Sequence, residues 1–328
     1  MQQVLRGLGF AMVLMILAGW GVERPQLDTA QAYMTRGLSY AQSGEWKRAI
    51  ADFTMALSRD PALVAAYRQR GHAYLQTQAP EHAIQDLTEA LRRDAADATA
   101  YRDRCAAHNH TGSYDSALAD CTAALRLEPT DAAAYRQRGV AYSHKGQHAP
   151  AIADFTAALW LEPESAEAYR YRGVSYSQEG ANEPAIADFT AALRLDPKDV
   201  IAYRQRGMVH SQQKAYNRAV ADLTAALQLD PRDALAYNNL AWLWATCPQA
   251  DVCDGKRAVE YATKACALTV WARVDTLDTL AAAYAAYGQF DRALKWIDKA
   301  LALAPTDLQP AMHARRALYQ AGKPYHAE

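Results

Sequence analysis

Tyrosine returns every 34 residues along this chain, at Tyr33, Tyr67, Tyr101, Tyr135, Tyr169, Tyr203 and Tyr237. A fixed period of that length means that one small unit is copied and stacked, so the fold is decided by what a single copy can form. Four residues after these tyrosines stand Gly37, Gly71, Gly139, Gly173 and Gly207, with Cys105 in the third copy and Ala241 in the seventh. Two alanine series keep the same step, Ala49 to Ala219 and Ala56 to Ala226, and the bulky Phe53, Leu87, Phe155, Phe189 and Leu223 lie between them. Each copy ends in a stop such as Asp60-Pro61, Glu128-Pro129 or Asp196-Pro197, where proline cannot continue a helix. The unit therefore reads as helix, short turn, helix; in the first copy these are Ala30 to Gln42, a turn around Gly44, and Trp46 to Ser58. No stretch alternates apolar with polar residues in strand fashion, so the class is all-α. One antiparallel pair cannot bury its apolar face alone and must stack on the next.

The Tyr135, Gly139, Tyr142 series of a first helix and the Ala151, Phe155, Ala158, Pro163 series of a second resemble the tetratricopeptide signature over residues 30–307. The resemblance implies an α-solenoid, a right-handed superhelix of about eight helix-turn-helix repeats starting near residues 30, 64, 98, 132, 166, 200, 234 and 274, with the first helices lining a concave groove. The seventh copy departs from the period, because the counterpart of Tyr237 is Leu277 and the extra residues form a long turn from Cys247 to Asp254. Residues 308–328 are expected to supply a capping helix, Leu308 to Gln320, and a tail. The words Asn238-Asn239-Leu240-Ala241-Trp242, Ala245-Thr246-Cys247-Pro248, Leu277-Asp278-Thr279-Leu280-Ala281-Ala282-Ala283-Tyr284 and Gly322-Lys323-Pro324-Tyr325 resemble a C-terminal module of bacterial tetratricopeptide proteins, which brings no activity with it.

Two arginine ladders follow the period. The first is Arg36, Arg70, Arg104, Arg138, Arg172 and Arg206, matched by Asp52, Asp86, Asp120, Asp154, Asp188 and Asp222. Gly44 lies midway between Arg36 and Asp52, so the two stand level in the hairpin; the pairs are expected to be structural, within a hairpin or to the neighbouring repeat, with a binding role as the alternative. In copies seven and eight the arginine becomes Leu240 and Leu280 while the aspartate becomes Tyr261 and Trp296.

The second ladder, Arg68, Arg102, Arg136, Arg170 and Arg204, is read as having no matching acidic series. The resemblance turns this face into the groove, together with His72, Asn109, His110, Ser143, His144, Ser177, Gln178, Ser211 and Gln212. Guanidinium groups form a bidentate fork that suits carboxylates and phosphates, so the expected partner is an extended, acidic peptide or protein segment. The other reading is a solvated arginine copied five times, and on either reading this ladder is expected to contribute little to folding.

With 35 Lys and Arg against 36 Asp and Glu, no bulk field draws the chain to nucleic acid. The 51% apolar content is ample for a core. Cys105 and Cys121 stand level across the turn at Ser113, giving either a disulfide or two buried thiols. Cys247 and Cys253 bracket the long turn and could close it, leaving Cys266 as the odd thiol. None of the five cysteines has zinc spacing, no cofactor is expected, and His108, His110, His144 and His148 read as polar surface. No nucleophile elbow, phosphate loop or paired-carboxylate motif stands outside the repeat consensus, so an enzyme is not expected.

The apolar run from Leu8 to Val22, preceded by Arg6, makes residues 1–22 a signal peptide or a membrane anchor, with a buried N-terminal helix as the other reading; residues 23–29 form a linker. Export to a bacterial periplasm, with or without an inner-membrane tether, is the expectation. Function is then expected to be a non-catalytic scaffold binding a segment of another protein, the alternative being a carrier of an anionic polymer such as an exported polysaccharide. Oligomeric state is not legible.

Overall fold

A computed structural model describes residues 29–249 and 252–327. Residues 1–28, which carry the expected signal or anchor, lie outside the described residues. Two compact units divide the chain, Met1–Lys145 and Gly146–Glu328, so the boundary falls inside the fourth repeat. The first unit holds α1 (Ala30–Gln42), α2 (Trp46–Arg59), α3 (Val64–Gln76), α4 (Pro80–Arg93), α5 (Ala98–His110), α6 (Tyr114–Leu127) and α7 (Ala132–His144). In the second are α8 (His148–Leu161), α9 (Ala166–Gln178), α10 (Asn182–Leu195), α11 (Val200–Gln212), α12 (Tyr216–Leu229), α13 (Ala234–Thr246), α14 (Gly255–Leu268), α15 (Val274–Ala286), α16 (Phe290–Leu303) and α17 (Gln309–Gln320). The described residues thus form an array of paired antiparallel helices and contain no strand.

Local chemistry sets the helix ends. Thr29, Asp97, Asp131, Ser165, Asp199 and Asp233 precede the first helix of their repeats, and each side chain accepts a backbone N–H of the first turn. That satisfies one donor which the helix leaves open. In repeats one to six and eight the chain turns between the paired helices through a left-handed residue, Gly44 at φ 73° in the first repeat; in the second repeat Gln78 holds φ 58° at the same place without being glycine.

Close approach inside each pair follows from the small residues. A Cβ added at Gly37 would lie 2.7 Å from the Phe53 ring, and one at Gly173 would lie 2.9 Å from the Phe189 ring. The large aromatic thus occupies the space the glycine leaves, and both phenylalanines are fully buried. The third repeat fills the same space differently: Cys105 replaces the glycine, Cys121 replaces the aromatic, and the two form a disulfide with Cα atoms 5.5 Å apart.

Within each unit the second helix of a repeat packs on the first helix of the next, as α2 does on α3 and α10 on α11. Successive first helices also touch, α1 with α3 and α9 with α11, whereas successive second helices of one unit do not, among the described residues. The first-helix side is therefore the inner side of the curve in each unit. Repeats seven and eight share one large core with α17, in which Leu240, Leu277, Leu280, Ile297, Met312 and Tyr319 are fully buried. There Tyr261 packs its ring on Tyr237 and Trp244, and Trp296 stacks on Trp271 at 5.1 Å.

Candidate functional site

The first arginine ladder is internal to the hairpins. Arg70 donates from Nε and Nη2 to both oxygens of Asp86 at 2.7 Å, and Arg104 with Asp120 repeats the geometry at 2.7 Å. Arg36 with Asp52, Arg172 with Asp188 and Arg206 with Asp222 are bidentate in the same way. Arg138 belongs to the first unit and Asp154 to the second. The remaining nitrogen reaches back one repeat, since Arg70 Nη1 donates to Thr54 Oγ1 and Arg172 Nη1 to Thr156 Oγ1. Each guanidinium also lies beside the repeat tyrosine, Arg172 at 5.6 Å from the Tyr169 ring. Hydrogen bonding to the aspartate raises the pKa of Arg70, Arg104, Arg172 and Arg206 above the ordinary arginine value, so these groups stay charged.

The second ladder corrects the sequence reading, because an acidic series does match it, 29 residues further on. Arg68 Nη1 donates to Asp97 Oδ2 at 3.0 Å, Arg102 Nη1 to Asp131 Oδ2 at 3.2 Å, and Arg170 Nε lies 2.9 Å from Asp199 Oδ2. Arg204 pairs with Asp233 in the same manner. These aspartates are the helix caps: Asp97 Oδ1 takes the Ala100 N–H at 2.9 Å while Oδ2 takes the arginine of the preceding repeat. The four arginine side chains are only 15–33% exposed. They tie one repeat to the next, so the reading of this ladder as solvated and without an acidic series is corrected at Arg68, Arg102, Arg170 and Arg204. Where the ladder has not begun, Met34 and Leu63 take the two places and pack in one apolar cluster. In the fourth repeat Arg136 has Ser165 as its counterpart in sequence.

The other candidates divide between the units. In the first, His72 Nδ1 is 2.9 Å from Asp103 Oδ2, while Arg102 donates to Asp103 Oδ1 at 3.1 and 3.2 Å. Asn109 Nδ2 donates to the carbonyl of Gln137 at 2.8 Å, and His110 Nδ1 faces the Ala106 carbonyl at 2.8 Å. Ser143 is half-buried and His144 stacks on Tyr114 with rings 4.9 Å apart. In the second unit Ser177 and Ser211 are half-buried and Gln178 and Gln212 exposed on the first-helix face. Ser211 and Gln212 border a cavity of about 210 Å³ with Lys214, Tyr216, Trp242, Leu243, Thr246, Cys247 and Ala327. Sequence reasoning missed Trp242 here, although it stands where Met208 stands one repeat earlier.

Cys247 and Cys253 are not bridged, which corrects the second candidate disulfide. Cys253 Sγ instead donates to the Cys247 carbonyl at 2.6 Å. Cys266 is a buried thiol whose Sγ donates to the Thr276 carbonyl at 3.3 Å, and burial pushes its pKa up to about 11. Among the described residues no group of three or more His, Cys, Asp or Glu is placed to hold a metal ion, and no helix is long and apolar enough to cross a membrane.

His108 and His210 occupy the position that is Tyr40, Tyr74, Tyr142 and Tyr176 in other repeats. Burial lowers the pKa of both below the ordinary 6.5; Asp120 and Asp222, at 3.7 and 3.9 Å, oppose that shift, while Arg104, Arg206 and Arg218 add to it. Burial thus favours the neutral imidazole in the fold, so below about pH 6.5 the unfolded chain binds more protons. Their contribution is fully present above 6.5 and lost as pH falls toward the folded-state values. Melting recorded from pH 7.5 to 5 should show a drop that is shallower in His108→Tyr/His210→Tyr; an unchanged slope would refute the assignment.

Comparison with known proteins agrees with this geometry. Residues 136–200, 175–238 and 274–307 match family models described as tetratricopeptide repeat, and residues 24–144 match one described as ETO1 C-terminal domain. The segments 136–238 and 274–307 are thus matched as tetratricopeptide repeats, a class that binds protein or peptide partners and is usually non-catalytic. Among solved structures, pilF of Pseudomonas aeruginosa is 17% identical over 63% of this chain and 94% of its own, with a TM-score of 0.55, which shows the fold. The MamA protein is 26% identical over 52% of this chain and 92% of its own, with a TM-score of 0.45. YrrB, described as a TPR protein with an unusual peptide-binding site, is 22% identical over 56% of this chain and 95% of its own, with a TM-score of 0.47. No curated protein matches the sequence.

Proposed function

We propose that the chain is a non-catalytic scaffold that holds an extended segment of another protein on the first-helix face. The observation that carries this reading is that successive first helices touch and successive second helices do not, which turns that face inward in each unit. Ser177, Gln178, Ser211 and Gln212 offer hydrogen bonds there, of the kind an extended main chain can use. The pairing of Arg68, Arg102, Arg170 and Arg204 with aspartates removes the basis for an acidic preference. It weakens equally the alternative of an anionic polymer, since both rested on unpaired guanidinium charge. Location outside the cytoplasm is part of the proposal, supported by the apolar run Leu8 to Val22 and by the Cys105–Cys121 bridge.

Selection of displayed random peptides on full-length protein purified from the cell envelope under alkylating conditions tests the reading. Peptides should bind wild-type protein and lose binding to Gln178→Trp/Gln212→Trp, while Trp160→Gln on a second helix binds normally. Cys105 and Cys121 should escape alkylation. Saturable binding of anionic glycans with no peptide selected would replace this reading by the polymer carrier.

A further inference from the structure

After α17 the chain folds back. Gly322 turns it at φ 66°, the Lys323 N–H bonds to the Leu318 carbonyl at 3.0 Å, and residues 323–327 continue without helix. The Tyr325 ring packs on Trp242 of α13, with centroids 5.9 Å apart. Arg315 of α17 lies 5.6 Å from both rings, and its guanidinium is fixed by two hydrogen bonds to Asp278 of α15, at 3.1 and 2.6 Å. Two residues on, the Ala327 N–H donates to the Thr246 carbonyl at 2.8 Å. That carbonyl is in the last turn of α13, where helices leave acceptors open. Ala327 then forms a wall of the 210 Å³ cavity that Ser211 and Gln212 border.

Trp242 stands on α13 where Met208 stands on α11 and Val174 on α9. Residues 323–327 therefore lie along the first-helix face as an extended peptide would. An aromatic ring packs against Trp242 and Arg315, one main-chain bond is made, and His326 remains exposed.

We propose that Trp242, Arg315, Thr246 and the adjoining cavity form a peptide-binding subsite, occupied here by the chain's own residues 323–327. A partner segment with an aromatic residue two positions before a small one displaces them. The proposal rests on the reading of this face as a peptide site and names where on it binding occurs and what it takes. The self-segment competes as a tethered ligand, so its effective concentration, and not its affinity alone, sets how well a free peptide can enter. A partner thus meets an already filled site, and its apparent affinity is reduced by the fraction of time the segment is docked.

The test uses the full chain and a fluorescent peptide of sequence Ala-Gly-Lys-Pro-Tyr-His-Ala-Glu. Tyr325→Ala is expected to bind this peptide at least about 10-fold more tightly than wild-type protein. Adding Trp242→Ala, or replacing the peptide's tyrosine by alanine, should abolish binding. Hydrogen exchange at the Ala327 amide reports docking: protected in wild type, fast in Tyr325→Ala, with helix amides unchanged. Should Tyr325→Ala disturb the helices, Ala327→Pro removes the Thr246 bond alone and should also admit the peptide. The idea is overturned if the released variants do not take up the peptide, or if wild-type protein binds it equally well; the segment is then a clasp for α17. Binding of this peptide with no peptide selected by the rest of the face would remove the general reading and leave this subsite, and the reverse result would remove the subsite alone.

Discussion

Replacing Arg172 by alanine is expected to cost about 3–5 kcal/mol, because it leaves the Asp188 carboxylate buried without its bidentate partner. The arginine side chain is 17% exposed and the aspartate 7%, so solvent screens the pair little. The loss also removes the bond to Thr156, which joins the preceding repeat. Replacing both members is a different experiment. Repeats seven and eight put Leu240 with Tyr261 and Leu280 with Trp296 in the same two places and bury both leucines. Arg172→Leu/Asp188→Tyr should therefore recover most of the loss, as apolar replacement of a buried ion pair commonly does. Repeat arrays can unfold in parts, so hydrogen exchange resolved to α9 and α10 is the measurement. A cost under about 1 kcal/mol for Arg172→Ala would show that the ladder behaves as a surface ion pair.

The second large effect belongs to the Cys105–Cys121 bridge. Cross-links closing loops of this length contribute about 3 kcal/mol, largely by restricting the unfolded chain. Cys105→Ala/Cys121→Ala, or reduction of the wild type, should lose about that much on α5 and α6. Cys105→Gly/Cys121→Phe should lose less, because it restores the packing that Gly37 and Phe53 use in the first repeat. Melting of wild-type protein that is indifferent to reductant would remove the bridge from the account.

Much of the hairpin was legible in the sequence. The expected helix Ala30 to Gln42 has the observed bounds, and the midpoint argument placed Arg36 level with Asp52. The same argument could not reach the partners of Arg68, Arg102, Arg170 and Arg204, since a midpoint finds only residues facing each other across one turn. Asp97, Asp131, Asp199 and Asp233 keep the same period, but they stand in the connections between repeats and were not taken up as an acidic series. Only the stacking of one pair on the next brings residues 29 apart together. A second signal was available within the chain, because Leu63 replaces the aspartate where Met34 replaces the arginine. The docking of Tyr325 on Trp242 left no such trace. It happens once, between residues 83 positions apart, and no period or motif spacing encodes it. The path between Cys247 and Cys253 was likewise beyond spacing, which says that two thiols are near but not that one faces the other's carbonyl.

The divided use of the capping aspartates sets which modules of this chain are interchangeable. Each such carboxylate spends one oxygen on its own helix and the other on the repeat before it. Repeats three and six both begin with the aspartate and both present the arginine, Asp97 with Arg102 and Asp199 with Arg204. They carry the same key at both ends and could trade places. Repeat two begins with Leu63, which fits only behind Met34 of repeat one. Moved behind any arginine-bearing repeat, it would leave a guanidinium facing a leucine. The order of the modules is thus written into the joints between them, as well as into the groove they build.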